Sequence, residues 1–252
     1  MNDVWASYDS KNYSLKGVNL SIERGTNYAV IGQSGSGKST LLKLMNGMMK
    51  PSKGTIKIDY KTPNIHDSNF KLMMSKIGYI PQSLGLVKNL SVLENTLIGS
   101  LPRIGKLKSF FKMFPEEEID EAKKILRLVG LEGKFHRKAY MLSGGEKRRV
   151  AIARALMQKP EILLADEIVS ELDHVTAVEI MDLIKDAQEK FALTAIMVHH
   201  DIQLALEYAN RVAVIQEGEK ILEIGVEGNQ IVDFQTGDLT QQEILEMYGN
   251  ES

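Results

Sequence analysis

The sequence contains no cysteine, which excludes disulfides and thiolate metal ligands and agrees with a reducing compartment. It carries no excess of charge of either sign. With 31 basic and 33 acidic residues the formal net charge is −2, so there is no bulk electrostatic case for binding nucleic acid. No apolar run approaches the roughly 18 residues that cross a bilayer, and stretches such as Ala195-Ile196-Met197-Val198 are only strand length. The opening Met1-Asn2-Asp3-Val4-Trp5 lacks the basic-then-apolar order of a secretory signal. A membrane role is therefore expected to run through a partner. Internal repeats and low-complexity tracts are also missing. What is present is ordinary for a globular protein: 252 residues, 43% hydrophobic and 25% charged, enough for a sizeable α/β core.

The most informative stretch is Gly32-Gln33-Ser34-Gly35-Ser36-Gly37-Lys38-Ser39-Thr40, which fits G-x-x-x-x-G-K-[ST]. The apolar run Tyr28-Ala29-Val30-Ile31 before it reads as a buried strand. After it, Leu41, Leu42, Leu44, Met45 and Met48 recur at helical spacing, with Pro51 as a stop. A strand feeding a glycine-rich turn that opens a helix lets successive backbone N–H groups face an anion at the positive end of the helix dipole. Lys38 would reach the β- and γ-phosphates of a nucleoside triphosphate, and the Ser39 hydroxyl would ligate Mg²⁺.

The rest of the chain supplies polar groups at strand ends. Strand-like runs precede the loop (Val18 to Ile22, with period two) and follow it (Thr55 to Ile58 and Ile77 to Ile80). Tyr8 precedes them in a polar loop, where stacking on an adenine ring and a partly buried loop tyrosine fit equally well. Gln82 follows the run 77–80 and has a carbonyl oxygen suited to Mg²⁺ or water. From Leu84 to Met157 helical periodicity replaces strand signals, for example Ile119, Ala122, Ile125, Leu126 and Val129 ahead of Gly130. This predicts a helical insertion over about 84–157 between core segments 1–83 and 158–252. Within it, Arg103 to Pro115 mixes Lys106, Lys108 and Lys112 with Phe110, Phe111 and Phe114, as a membrane- or partner-facing surface or a half-packed helix would.

Leu142-Ser143-Gly144-Gly145-Glu146 leads into the apolar helix pattern Val150 to Leu156. Ser143 and Glu146 make a capping box, and the small-residue turn offers either a second anion site or simply a well-capped helix. Ile162 to Ala165 then reads as a buried parallel strand delivering Asp166 and Glu167 at its C-terminal end, where open α/β sheets place their chemistry. Asp166 suits Mg²⁺, and Glu167 suits polarising an attacking water. A further apolar run, Thr194 to Val198, ends in His199-His200-Asp201, which sets a histidine at the same edge near a γ-phosphate. Strand-like Lys220 to Ile224 and a short helix around Gln241 to Tyr248 complete the tail.

In that order the phosphate loop, Gln82, Leu142 to Glu146, Asp166-Glu167 and His200 resemble the ATP-binding cassette family over nearly the whole chain. The resemblance implies a P-loop NTPase core with a mixed, mainly parallel sheet, an N-terminal antiparallel β subdomain and an inserted helical subdomain. It implies ATP and Mg²⁺ as ligands and hydrolysis as the activity. By similarity Tyr8 takes the adenine-stacking position and Gln82 the loop that couples Mg²⁺ to a transmembrane partner. Ser170, Leu172 and Asp173 fall in the dimer-interface loop, and His200 rather than His199 is the switch histidine. Ser143, Gly144 and Gly145 act on the ATP of a second cassette, so the chain must pair, as a homodimer. The same resemblance implies membrane permease subunits, a solute-binding protein and a peripheral place on the cytoplasmic membrane face.

Ser91 to Asn95, the insertion ending Phe114-Pro115, Val150 to Leu156 and the closing Tyr248-Gly249 look most like ATPases of phosphonate-type importers. Import of a small oxyanion is the expected role; lipoprotein or small-molecule export is the alternative. A soluble cassette acting on DNA or ribosomes would carry long heptad insertions or tandem cassettes, and a non-hydrolysing regulator would lack Glu167. Three departures stand out: Ile168 and His174 where relatives usually carry proline, and Glu171 in place of a small residue. They bear on interface geometry and turnover rather than on the chemistry.

Overall fold

A computed structural model describes residues 1–9, 11–59, 61–62, 70–104 and 114–227, and the backbone of 230–234. The elements run β1 (Asn2–Ser7), β2 (Tyr13–Val18), β3 (Asn27–Ile31), α1 (Lys38–Met45), β4 (Lys53–Thr55), α2 (Phe70–Ser75) and β5 (Ile77–Ile80). Then follow α3 (Val92–Leu97), α4 (Glu116–Leu128), α5 (Gly144–Met157), β6 (Ile162–Asp166), α6 (His174–Phe191) and β7 (Thr194–His199). The chain continues through α7 (Ile202–Tyr208), β8 (Arg211–Gln216), β9 (Glu219–Glu227) and β10 (Gln230–Phe234).

A seven-stranded sheet in the order β10-β9-β8-β3-β7-β6-β5 forms the centre, and β2-β1-β4 form a separate antiparallel sheet. Strands β8, β3, β7, β6 and β5 are mutually parallel, while β9 and β10 add antiparallel at one edge. Every residue of β3 is buried, as a strand covered on both faces requires. The register aligns Ile31 with His199, Val198 with Asp166, and Ala165 with Ile80. The loops after β3, β5, β6 and β7 therefore leave one edge of the sheet together, which is the edge where open parallel sheets hold ligands.

One face of the sheet packs against β1, β2 and α1 through Leu15, Leu41 and Leu44. The opposite face packs against α3 to α6, and Ile80, Leu163 and Ala165 share a single apolar cluster with Leu126, Ile152 and Ile184. Helices α3 and α5 both begin with complete capping boxes, Ser91 with Glu94 and Ser143 with Glu146, which satisfy two otherwise orphaned N–H groups apiece.

Several expectations need correction. The period-two run at Val18 is not a strand through Ile22, because β2 ends at Val18. Val18 and Leu20 stay buried and Asn19 and Ser21 exposed, so the alternation survives. The ladder does not, because Gly17 turns at φ 65° and the Asn19 side chain accepts from Asp3 N and donates to Gly17 O. Helix α1 stops at Met45, capped by Asn46 and turned at Gly47 with φ 67°, leaving Met48 65% exposed rather than on the apolar face. The run at Thr55 belongs to β4 only as far as that residue, and Ile58 makes an isolated bridge to Lys61. Helix α2 was unforeseen and buries none of its residues. Lys106, Lys108, Phe110, Phe111, Lys112 and the helix expected around Gln241 to Tyr248 lie outside the described residues. Arg103 pairs with Glu118 at 2.6 Å, and Phe114 packs against the helical core.

One buried group makes stability depend on pH. The His199 ring is fully enclosed at the end of β7, and neither ring nitrogen has a hydrogen-bond partner among the described residues. Burial, only partly opposed by Asp201, pushes its pKa down to about 4 from 6.5. The folded state then stays neutral while the unfolded imidazole takes up a proton as the pH drops below 6.5. Stability is complete above that value and falls towards pH 4, by about 2 kcal/mol at pH 5. Urea unfolding at pH 7.5 and pH 5 measures the loss, and His199→Leu should remove most of the difference. An unchanged difference in that variant would place the titrating group elsewhere.

Candidate active site

The turn between β3 and α1 is built by two glycines that admit no side chain. A Cβ at Gly32 would lie 2.1 Å from the Ile215 carbonyl oxygen, and one at Gly37, with φ 110°, would lie 2.5 Å from the Ser14 carbonyl oxygen. The turn is closed by Ser36 N donating to Gln33 O at 3.1 Å, and pinned to β8–β9 by Gly218 N donating to Ser36 O. Helix α1 opens without a side-chain cap and without an acidic residue in its first turn. Its leading N–H groups thus keep their capacity for an anion, and the positive end of the dipole is not neutralised. The buried Ser36 hydroxyl has no hydrogen-bond partner among the described residues, a second vacancy for an acceptor at the same turn.

Lys38 is only 4% exposed and donates to the carbonyl oxygens of Gly32 at 2.6 Å and Gln33 at 2.8 Å. Burial holds its pKa below the ordinary lysine value, against the pull of Glu167 and Asp166. The ammonium sits 4.0 Å from Glu167 Oε1. Across the sheet edge, Ser39 donates to Asp166 Oδ1 at 3.0 Å and Tyr79 to Asp166 Oδ2 at 3.3 Å. Burial, reinforced by the Asp166 charge, pushes the Tyr79 phenol up to about 12, so it remains a donor. Gln82 Nε2 donates to Glu167 Oε2 at 2.6 Å, which leaves its carbonyl oxygen for another partner. A cavity of about 210 Å³ opens among Ser34, Gly35, Lys38, Ser39, Gln82 and Glu167.

The oxygen set of Ser39, Asp166 and Gln82 suits a hard cation such as Mg²⁺. No group of three His, Cys, Asp or Glu gathers among the described residues to hold an ion alone. A cation held by one carboxylate, one hydroxyl and phosphate oxygens is the pattern that Mg²⁺ adopts with nucleotides.

The remaining expected site residues divide. Tyr8 is 64% exposed beside α1, its hydroxyl 3.2 Å from Thr40 Oγ1 and receiving a 3.3 Å hydrogen bond from Lys43. The tyrosine is thus exposed rather than partly buried, with the Lys43 ammonium over its ring, 5.4 Å from the centroid. His200 is exposed after β7, and no hydrogen bond or ion pair among the described residues joins it to Glu167 or the phosphate turn. Leu142 to Glu146 do not line the cavity. Their turn caps α5, with Glu146 donating its backbone N–H to Ser143 and its side chain paired to Lys134 at 2.6 Å. Ser170 Oγ donates to the Glu167 carbonyl oxygen at 2.7 Å, Leu172 packs on the helical core, and Asp173 caps α6 through Thr176. Two neighbours of the site escaped the sequence reading. Tyr79 carried no signal beyond strand alternation, and Ser14 lies on the antiparallel sheet, far from the motif in sequence.

The family described as "ABC transporter" matches residues 15–170, more than half of the chain. The chain belongs to the ABC transporter family. It is 39% identical over 219 residues to the phosphonates import ATP-binding protein PhnC of Alcaligenes faecalis, covering 86% of this chain and 79% of that protein. With PhnC 2 of a Synechococcus strain it shares 37% identity over 245 residues, 97% of this chain and 87% of the relative. Among solved structures, the ATP-binding cassette MJ0796 in a dimeric post-hydrolysis state bound to ADP and Pi superposes with a TM-score of 0.79. It is 35% identical, with 90% of this chain and 98% of that one covered. The cbiO1 subunit of Clostridium perfringens gives 0.78 at 32% identity, covering 88% and 86%. The cassette has the P-loop NTPase α/β fold and is an ATPase by family. No helix of the described residues is long and apolar enough to cross a membrane.

Proposed function

We propose that this cassette hydrolyses Mg-ATP as one of a pair of identical subunits and so energises import of phosphonate-type oxyanions through a membrane permease served by a solute-binding protein. The observation that carries the hydrolytic part is the convergence of Lys38, Ser39, Gln82 and Glu167 around one cavity beside an uncapped helix N-terminus, with Asp166 hydrogen-bonded to Ser39. Pairing is supported by the position of the Ser143-Gly144-Gly145 turn, which lies outside that cavity in its own chain. The substrate class rests on the names of the relatives at 37–40% identity. Residues 84–157 would act as the helical unit facing the permease.

The chain's own groups supply the chemistry. ATP entering the turn would draw Lys38 from the Gly32 and Gln33 carbonyls onto its β- and γ-phosphates. The α1 N–H groups and the Ser36 hydroxyl would take further phosphate oxygens. Tyr8 would stack on the base. Ser39, Asp166 and Gln82 would hold Mg²⁺, which neutralises phosphate charge when bound. Glu167 orients a water and accepts its proton as the oxygen attacks the γ-phosphorus and the bond to ADP breaks. Gln82, hydrogen-bonded to Glu167, fixes that carboxylate and links it to the loop that continues to Leu84 and Gly85. His200 would meet the γ-phosphate once the two chains close.

Deleting the gene in its host should abolish growth on 2-aminoethylphosphonate as sole phosphorus source while leaving growth on phosphate intact. Undiminished growth on the phosphonate would refute the substrate class without touching the ATPase assignment.

A further inference from the structure

The Ser143–Gly145 turn and the Glu167 loop belong to different ATP sites in a paired cassette, yet within one chain the Arg148 side chain reaches from one to the other. Arg148 lies one turn into α5. Its Nε donates to the Ile168 carbonyl oxygen at 2.5 Å and its Nη2 to the Ser170 carbonyl oxygen at 2.5 Å. A planar guanidinium offers two donors in a fixed fork, so both acceptors are held at a set separation. The carbonyls belong to residues that directly follow Glu167, in a loop that needs holding. Glu167 and Glu171 both take positive φ, 48° and 62°, which side chains rarely adopt unless their surroundings impose it. Ser170 closes the loop back onto Glu167 through both its backbone N–H and its hydroxyl. Burial depresses the Arg148 pKa while the Glu171 charge opposes the shift, as expected for a guanidinium half withdrawn into this loop.

The other end of the contact is the turn itself. A Cβ placed on Gly144 would lie 3.3 Å from Arg148 Nη1, and one on Gly145 would lie 3.2 Å from Thr176 Cγ2. Thr176 is in turn bonded to Asp173, the cap of α6, which ends the same loop. Gly144 therefore lies against Arg148, and Gly145 against the first turn of α6, the helix that the Glu167 loop leads into.

We infer that Arg148 is a positioning residue that makes the Ser143–Gly145 turn and the Glu167 loop move as one body, so that engagement of the partner's ATP sets the catalytic carboxylate of the chain's own site. The inference rests on the pairing reading above. It concerns Glu167 geometry rather than nucleotide capture, because Arg148 touches neither the phosphate turn nor Ser39.

The test is steady-state hydrolysis by Arg148→Met and Arg148→Lys chains, with nucleotide affinity measured by ATP-analogue titration. The expected result is a kcat lowered at least tenfold in Arg148→Met, with KM and nucleotide Kd within about twofold of the unsubstituted chain. Lysine keeps the charge but reaches only one carbonyl, so Arg148→Lys should recover part of kcat at an unchanged melting temperature. Should Arg148→Met fail to fold, the Lys variant alone carries the test through the same split of kcat from KM. Full kcat in a folded variant, or a raised KM at unchanged kcat, would overturn the inference. Failure of the underlying reading looks different: the unsubstituted chain would then hydrolyse no ATP, or Glu167→Gln would hydrolyse as fast as it does.

Discussion

Glu167→Gln should lower phosphate release at saturating Mg-ATP by two orders of magnitude or more, with ATP still bound. General-base catalysis is worth roughly 10²–10⁴ in rate, and glutamine keeps the size of the side chain while removing the basic oxygen. The local structure is preserved because the Gln82 Nε2 hydrogen bond, now 2.6 Å, can pass to the amide oxygen of the new side chain. Affinity for ATP should hold or rise, since one negative charge leaves the neighbourhood of the Lys38 ammonium and the incoming phosphates. A single-turnover assay beside equilibrium nucleotide titration separates the two effects. A kcat within threefold of the parent would remove Glu167 from the chemical step and point to another base at this edge.

Lys38→Met should weaken nucleotide binding by about a hundredfold or more while barely altering the melting temperature. The ammonium makes two charge-assisted hydrogen bonds to loop carbonyls. Each is worth about 1.5–3 kcal/mol, but the same ammonium is withdrawn from water, and this burial lowers its pKa. Methionine loses the hydrogen bonds and relieves the buried charge, so these two effects largely cancel for folding. They do not cancel for binding, because the phosphates lose a cation that nothing else in the turn replaces. Titration of both chains with a fluorescent ATP analogue, together with thermal melts, reads the two quantities. Binding within threefold of the parent would mean that the α1 N–H groups alone capture the triphosphate.

The site was legible in the sequence because its parts are contiguous. Gly32 to Thr40, Asp166-Glu167 and Gln82 each sit at the end of an apolar run, and parallel strands must deliver such ends to one edge. The register of Ile31, His199, Asp166 and Ile80 follows from that packing. Gln82 was read for its carbonyl oxygen, whereas its amide nitrogen engages Glu167; strand-end placement gives reach but not orientation. Tyr79 and Arg148 were not legible. Their partners lie 87 and 20 to 22 residues away, and nothing local marks a strand tyrosine or a helix arginine as a donor to a distant loop. The strand misreadings share a cause, because side-chain alternation persists where the backbone has left its ladder, as at Val18 to Leu20. Helix α2 buries none of its residues, so no apolar face marks it for a pattern to reveal.

The most direct measurement is the solution mass, by light scattering, of the Glu167→Gln cassette with Mg-ATP, beside the same chain also carrying Gly145→Asp. Pairing across ATP predicts twice the monomer mass for the first and the monomer mass for the second, whose added carboxylate would face the partner's phosphates. Monomers in both, or dimers in both, would contradict a sandwich closed by the Ser143–Gly145 turn.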